Sequence, residues 1–166
     1  MSDRFHDVGI AWRSFAELLT DLLAQAPEGV TIDVVDDRFG DEGPYTQAIR
    51  QEDEFGEDWT WLVEASSTEF TSVPTPPDTF TTLRELGYEP PDEDSPNHYQ
   101  VLGGDDVTLS ELAQLMVRTL RDGFSARLTD AFAVTPDFLA HEVLQARNDL
   151  TSVIRFEDVG LRFRFN

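Results

Sequence analysis

Residues 59–65 read WTWLVEA, a run in which apolar residues occupy every second position from Trp59. Successive side chains of a β-strand point to opposite faces, so Trp59, Trp61, Val63 and Ala65 share one face. This segment is the clearest strand signal in the chain, and the rest of the fold can be read outward from it.

Two further strands are predicted before it. Residues 30–34 alternate Val30, Ile32 and Val34 with polar residues, which is typical of a half-buried strand, and residues 45–51 form a more polar one. Turn-rich stretches separate them. Three consecutive strands joined by short turns predict an antiparallel meander with a helix packed on one face.

Helical spacing of apolar residues extends over residues 8–26 and ends at Pro27 and Gly29, which predicts an amphipathic first helix. A short second helix is predicted to start at Thr75, Pro76 and Pro77 and to stop at Gly87. Its inward-facing residues are expected to be Phe80, Leu83 and Leu86.

Tyr99 and Val101 predict a strand before the Gly103-Gly104 turn. Thr108 and Glu111 then form a capping box, and apolar residues keep helical phase through Gly123 to Phe132. This pattern predicts one long helix with a bend at Gly123.

The C-terminal part, residues 126–166, is predicted to hold a helix that begins at Thr135 and Pro136, followed by a hairpin of strands near residues 153–157 and 161–165. The length of 166 residues suits one domain, residues 1–166. The predicted class is α+β: an antiparallel meander with helices on one face.

Composition excludes several kinds of chemistry. The chain has no Cys, which removes disulfides, thiolate metal sites and thiol nucleophiles. All 12 basic residues are Arg, so Walker-type phosphate loops, Schiff-base lysines and Ser-Lys hydrolases are excluded as well. With neither a membrane-length apolar run nor a signal-like N-terminus, we expect a cytoplasmic protein without membrane contact.

The net charge is -21, which disfavours nucleic-acid binding. It is uneven: residues 1–106 hold 25 acids and 5 Arg, or -20, whereas residues 107–166 hold 8 acids and 7 Arg, or -1. Adaptation to a high-salt cytoplasm is an alternative explanation of acid enrichment, although it predicts a more even spread.

We find no catalytic constellation, no cofactor motif and no metal-ligand spacing. The residues His6, His98 and His141 lie far apart, and the acidic turns lack the spacing of a calcium loop. The expectation is therefore a non-enzymatic protein with no cofactor, although 33 acids leave open an enzyme that uses carboxylates and a metal.

A binding role rests on aromatic and acidic residues. Trp59 and Trp61 are either core residues or, where that face is exposed, an anchor for apolar and Arg side chains amid acids. The candidate partner-binding residues are Trp59, Trp61, Tyr88, Asp36, Asp37, Asp41, Glu42, Glu52, Asp53 and Glu54.

Residues 83–97, LRELGYEPPDEDSPN, carry a family resemblance. Leu86, Gly87 and Tyr88, the Pro90-Pro91 pair, an acidic spacer and Pro96-Asn97 resemble the hallmark of the TY-Chap-like domains. These are predicted bacterial peptide-binding chaperones related to type III secretion chaperones and YbjN proteins. Tyr88 departs from the commoner Trp. The resemblance covers about residues 8–125, and residues 88–97 also fit a purely structural role as a rigid entry into the next strand.

The resemblance implies a chaperone-like or adaptor module, with a secretion-chaperone/YbjN-like fold, that binds another protein and forms a homodimer. Charge adds the expectation that the partner has a basic or Arg-rich segment. An alternative is an acidic immunity-type or nucleic-acid-mimicking inhibitor of a toxin or nuclease, and a second alternative is the carboxylate enzyme.

Overall fold

The computed structural model describes residues 2–25, 28–29, 31–36, 39, 43–53, 55–67, 75–126, 153–155 and 161–165. The helices among them are α1 (Ser2–Ala24), α2 (Thr79–Glu85) and α3 (Leu109–Arg118), with a π-helical turn (Thr119–Gly123) after α3. The strands are β1 (Thr31–Asp36), β2 (Tyr45–Glu52), β3 (Trp59–Ala65), β4 (His98–Gly103), β5 (Val153–Arg155) and β6 (Leu161–Phe165). Within these ranges no helix combines the length and apolar character needed to cross a bilayer.

The strands form one antiparallel sheet in the order β4-β3-β2-β1-β6-β5. Strands β1 to β4 are sequential neighbours, which confirms the predicted meander, and β6 adds to the other side of β1. The predicted α+β class is confirmed. That residues 1–166 form one domain stays a prediction.

The core lies between the helices and one face of the sheet. The pairs Ile32↔Ala48 and Ala48↔Val63 place these residues in one row across β1, β2 and β3. All are fully buried, and helices α1, α2 and α3 pack their apolar residues on the same face. Their largest contributions are Phe15, Leu19, Leu22, Leu83, Leu112 and Met116.

The prediction that β1 is half-buried is wrong. Asp33 and Val35, on the face opposite Ile32, are 2% and 0% exposed. The physical reason is the position of the strand: β1 is an interior strand paired with both β2 and β6, and the pairing with β6 could not be read from local alternation.

Helix α2 begins at Thr79 rather than near Thr75, and the prediction that Phe80 points inward is wrong. Thr79 and Leu83, one turn apart, face the core, while Phe80 is 49% exposed. The predicted stop at Gly87 is confirmed: this residue has φ +98, and the Tyr88 N–H donates to the Leu83 carbonyl at 3.0 Å.

The capping box of α3 is confirmed, with Thr108 Oγ1 accepting from the Glu111 N–H at 3.2 Å and Glu111 Oε2 accepting from the Thr108 N–H at 2.8 Å. The prediction of a helix continuing through Gly123 is wrong. The Gly123 carbonyl accepts the Thr79 hydroxyl at 2.7 Å, and Ser125 has φ +56, so the chain leaves the helix there. Residues 127–132 and the helix predicted from Thr135 lie outside the described residues.

Candidate functional site

Trp59 and Trp61 share a face of β3 but differ in their surroundings. Trp61 is 1% exposed and belongs to the core, whereas Trp59, the first residue of the strand, is only partly buried. Their rings meet edge to face, with centroids 6.0 Å apart. The aromatic pair therefore divides into a core residue and a residue that reaches the surface.

Gly104 packs against the Trp59 ring. Its N–H also donates a hydrogen bond to the backbone carbonyl of Trp59 at 3.0 Å. A Cβ at position 104 would overlap the indole atoms, so glycine is required for this close approach. The indole is therefore fixed in position by the turn that follows β4.

Arg50 lies across the same ring. Its guanidinium carbon is 4.6 Å from the Trp59 ring centroid, within the range of a cation–π contact. Strand register explains why Arg50 reaches the Trp59 ring. Arg50 is paired with Trp61 and Glu52 with Trp59, and because opposed residues of an antiparallel pair share a face, Arg50 lies diagonally opposite Trp59 on the same face.

Two shallow depressions adjoin Trp59 and share both Trp59 and Asp58. One, of about 330 Å³, is further lined by Asp53, Thr60, Gly103, Gly104, Asp105 and Asp106. The other, of about 220 Å³, is further lined by Glu28, Arg50, Glu52, Gly56 and Glu57. We call the two together the Trp59 cleft.

The Trp59 cleft is strongly acidic, because the described residues that line it include seven carboxylates and one guanidinium. One of them also builds the loop: Asp53 Oδ1 accepts the N–H groups of Phe55 at 3.1 Å and Glu57 at 3.0 Å. Among the described residues, no group of three or more acids or histidines is arranged to hold a metal ion. The arrangement favours binding of an organic cation such as a guanidinium.

The candidate binding residues named from sequence have different positions in the structure. Trp59, Glu52 and Asp53 line the cleft. Trp61, Tyr88 and Asp36 are buried, at 1%, 3% and 0% exposed, and therefore support the fold rather than a surface. The remaining four, which are Asp37, Asp41, Glu42 and Glu54, lie outside the described residues.

Sequence reasoning missed most of the acids in the cleft as well as Arg50. The available signal was the position of Glu57, Asp58, Asp105 and Asp106 beside turn glycines at the ends of β3 and β4. In a meander, neighbouring strands end side by side, so the turns at their ends lie close together. The register of the strands is needed to identify which acids are brought into contact.

The segment that carries the family resemblance has a structural role in this chain. The backbone of Glu89 exchanges two hydrogen bonds with Tyr99, 2.8 and 3.1 Å long, and so pairs with part of the outer edge of β4. Asp92 accepts the Tyr99 hydroxyl at 2.8 Å, and this bond lowers the pKa of Asp92. The buried Asn97 shares hydrogen bonds with the Tyr45 hydroxyl at 3.1 and 3.2 Å.

Comparison with known families matches residues 6–145 to the family described as T3SS (YopN, CesT) and YbjN peptide-binding chaperone 3, or TY-Chap3. Neither the curated proteins nor the solved structures give a significant match. The family match extends beyond residues 8–125, where the resemblance was recognised, and includes β1 to β4, α2, α3, most of α1 and the Trp59 cleft. Because it spans well over half of the chain, the protein belongs to the TY-Chap3 family of peptide-binding chaperone domains.

Proposed function

We propose that this protein is a non-enzymatic, chaperone-like module whose Trp59 cleft binds an Arg-bearing segment of a client protein. The observation that carries the proposal is Arg50, whose guanidinium already lies over the Trp59 ring inside the acidic cleft. The cleft thus already holds one guanidinium of the protein itself, and a guanidinium is the group that we expect it to bind from a client.

The chemistry suits arginine better than other cations. A planar guanidinium stacks on an indole and offers several N–H donors to nearby carboxylates. A cation–π contact at an exposed site contributes only about 0.5–1 kcal/mol, so one arginine alone binds weakly. The described lining of the larger depression holds four carboxylates and no cation, and it gives a client with several arginines more than one place to bind.

Charge would also speed the encounter. The net charge of -21 attracts basic segments over long range, and salt screens this attraction. Specificity must come from the cleft itself, since the field of the whole protein would attract any cation.

The test is fluorescence anisotropy with a labelled peptide of alternating Arg and Gly, compared with the same peptide carrying neutral citrulline in place of Arg. We expect binding of the Arg peptide only, weakening about tenfold or more between about 50 and 500 mM NaCl. Asp58→Asn and Asp106→Asn should each weaken it several-fold.

Asp78→Asn is the matched control, because Asp78 is exposed, lies at the start of α2 and makes no side-chain capping bond. Equal losses of peptide affinity in Asp58→Asn, Asp106→Asn and Asp78→Asn would show that the peptide is attracted by the net negative charge of the whole protein. That result would refute a role for the cleft. The homodimer, the single domain and the cytoplasmic location stay predictions, and sedimentation equilibrium would check the first.

A further inference from the structure

A second surface groove lies on the helical layer. It runs between α1 and α3 and has a volume of about 300 Å³, and none of the described residues lines both this groove and the Trp59 cleft. Its lining consists of Trp12, Arg13 and Ala16 from α1 with Gln114, Val117, Arg118 and Arg121 from α3 and the π-helical turn. We call it the α1–α3 groove.

The charge of this groove is opposite to that of the molecule. Five Arg side chains are described, namely Arg13, Arg50, Arg84, Arg118 and Arg121, and three of them line it. No carboxylate is among the described residues that line it, in a protein with a net charge of -21.

The arginines are only partly neutralised. Arg121 forms a bidentate pair with Asp122, at 2.7 Å from Nε to Oδ1 and 3.0 Å from Nη2 to Oδ2, and Arg118 Nε lies 3.7 Å from the same carboxylate. These contacts lower the pKa of Asp122. Arg13 has no ion-pair partner among the described residues. Arg118 and Arg121 thus share one carboxylate and Arg13 is unpaired within the described part of the chain, so these three arginines and Asp122 together carry two positive charges in excess.

The floor of the groove is apolar. Trp12 and Val117 are 3% and 5% exposed, and Ala16 packs against the same core. A free phosphate or sulfate ion would engage the guanidinium groups but leave this floor uncovered. A segment with an acidic and an apolar side chain would satisfy both, because the carboxylate accepts from Arg while the apolar group is removed from water.

We propose that the α1–α3 groove binds an acidic, amphipathic segment of a protein partner, with an Asp or Glu carboxylate held by Arg13 and Arg118 and an adjacent apolar side chain on Trp12 and Val117. This site is independent of the Trp59 cleft and has the opposite ligand chemistry. It gives the protein a second contact surface on the helical layer.

The test is anisotropy of a fluorescein-labelled peptide of alternating Glu and Leu against the full chain, with inorganic phosphate as competitor. Arg13→Gln and Arg118→Gln should each weaken binding about fivefold or more, which is the loss expected for a charge-assisted hydrogen bond. Arg84→Gln is the control, because it makes the same charge change on α2, outside the groove. Arg13 is exposed and unpaired among the described residues, so its replacement should leave the fold intact.

Each outcome is decisive. Losses confined to Arg13→Gln and Arg118→Gln, with a Gln-Leu peptide failing to bind, support the proposal. Absence of binding, an equal loss in Arg84→Gln, equal binding of the Gln-Leu peptide, or displacement of the peptide by millimolar phosphate would each overturn it. Asp58→Asn should leave this affinity unchanged, so failure at the Trp59 cleft and failure at the α1–α3 groove can be told apart.

Discussion

The hydroxyl oxygen of Tyr88 lies 2.8 Å from Thr119 Oγ1 within the core. Thr119 Oγ1 also lies 2.8 Å from the Leu115 carbonyl, which can only accept, so the single hydroxyl hydrogen of Thr119 is donated there. Tyr88 must therefore be the donor to Thr119. This bond joins the segment after α2 to the end of α3, and it requires that the phenol stay protonated.

Burial raises the pKa of Tyr88 to about 12. The folded protein thus keeps this proton between pH 10 and 12, where the unfolded chain has lost it. Stability contributed by Tyr88 is complete below about pH 10 and falls as pH rises toward 12, by up to about 3 kcal/mol.

Urea unfolding of the wild type and of Tyr88→Phe from pH 8 to 11.5 measures this effect. The difference in the free energy of unfolding between the wild type and Tyr88→Phe should shrink or change sign as pH rises, because Phe has no proton to lose. Parallel pH profiles would contradict the assignment of Tyr88 as a buried, protonated donor.

Thr79 connects the start of α2 to the end of the π-helical turn through its 2.7 Å bond to the Gly123 carbonyl. Thr79→Val keeps the side-chain shape and removes this buried bond, so we expect a loss of about 1–2 kcal/mol in the free energy of unfolding. Thr81→Val makes the same change at an exposed position of α2 and should cost much less. Equal costs for the two, measured by urea denaturation, would argue against the role of this bond.

Gly104 is the residue on which the Trp59 ring packs. Gly104→Ala should displace the indole, lower the free energy of unfolding by about 1–3 kcal/mol and weaken the Arg-peptide affinity. In a Trp59→Leu background the same substitution should cost less, because the overlapping ring is gone. A double-mutant cycle measures this coupling, and a coupling energy near zero would show that the contact does not matter.

The concentration of negative charge in residues 1–106 predicts that salt raises the thermal stability of the protein. Screening of the repulsion within residues 1–106, which carry a net -20, should raise the melting temperature by about 5 °C or more between about 0.05 and 0.5 M NaCl. The gain should then level off. A rise that continues into several molar salt would instead favour adaptation to a high-salt cytoplasm, and an equal gain with a neutral osmolyte would exclude screening.

Local pattern was enough to predict the elements whose signals are local. Alternation in WTWLVEA predicted β3 with its observed bounds, Trp59–Ala65, and the capping box at Thr108 predicted the start of α3. Both depend on residues within a few positions of one another. Gly87 ended α2 for the same reason, since a helix stop requires only that one residue adopt a positive φ.

Burial and the binding surfaces depended on contacts distant in sequence. Trp59 and Trp61 have the same side chain and face, and only the helices and Gly104 determine that Trp61 is core and Trp59 lines a cleft. The end of the helix at Gly123 depends on a hydroxyl 44 residues away.

The sequence by itself determined the α+β meander, the acidic N-terminal two-thirds and the exclusion of Cys and Lys chemistry, because these follow from local periodicity and composition. Only the tertiary structure decided which acids lie around Trp59. It also decided that Arg13 of α1 lines the same groove as Arg118 and Arg121, which are distant in sequence. The physical reason is that strand register and helix packing, which no local pattern encodes, bring those charges together.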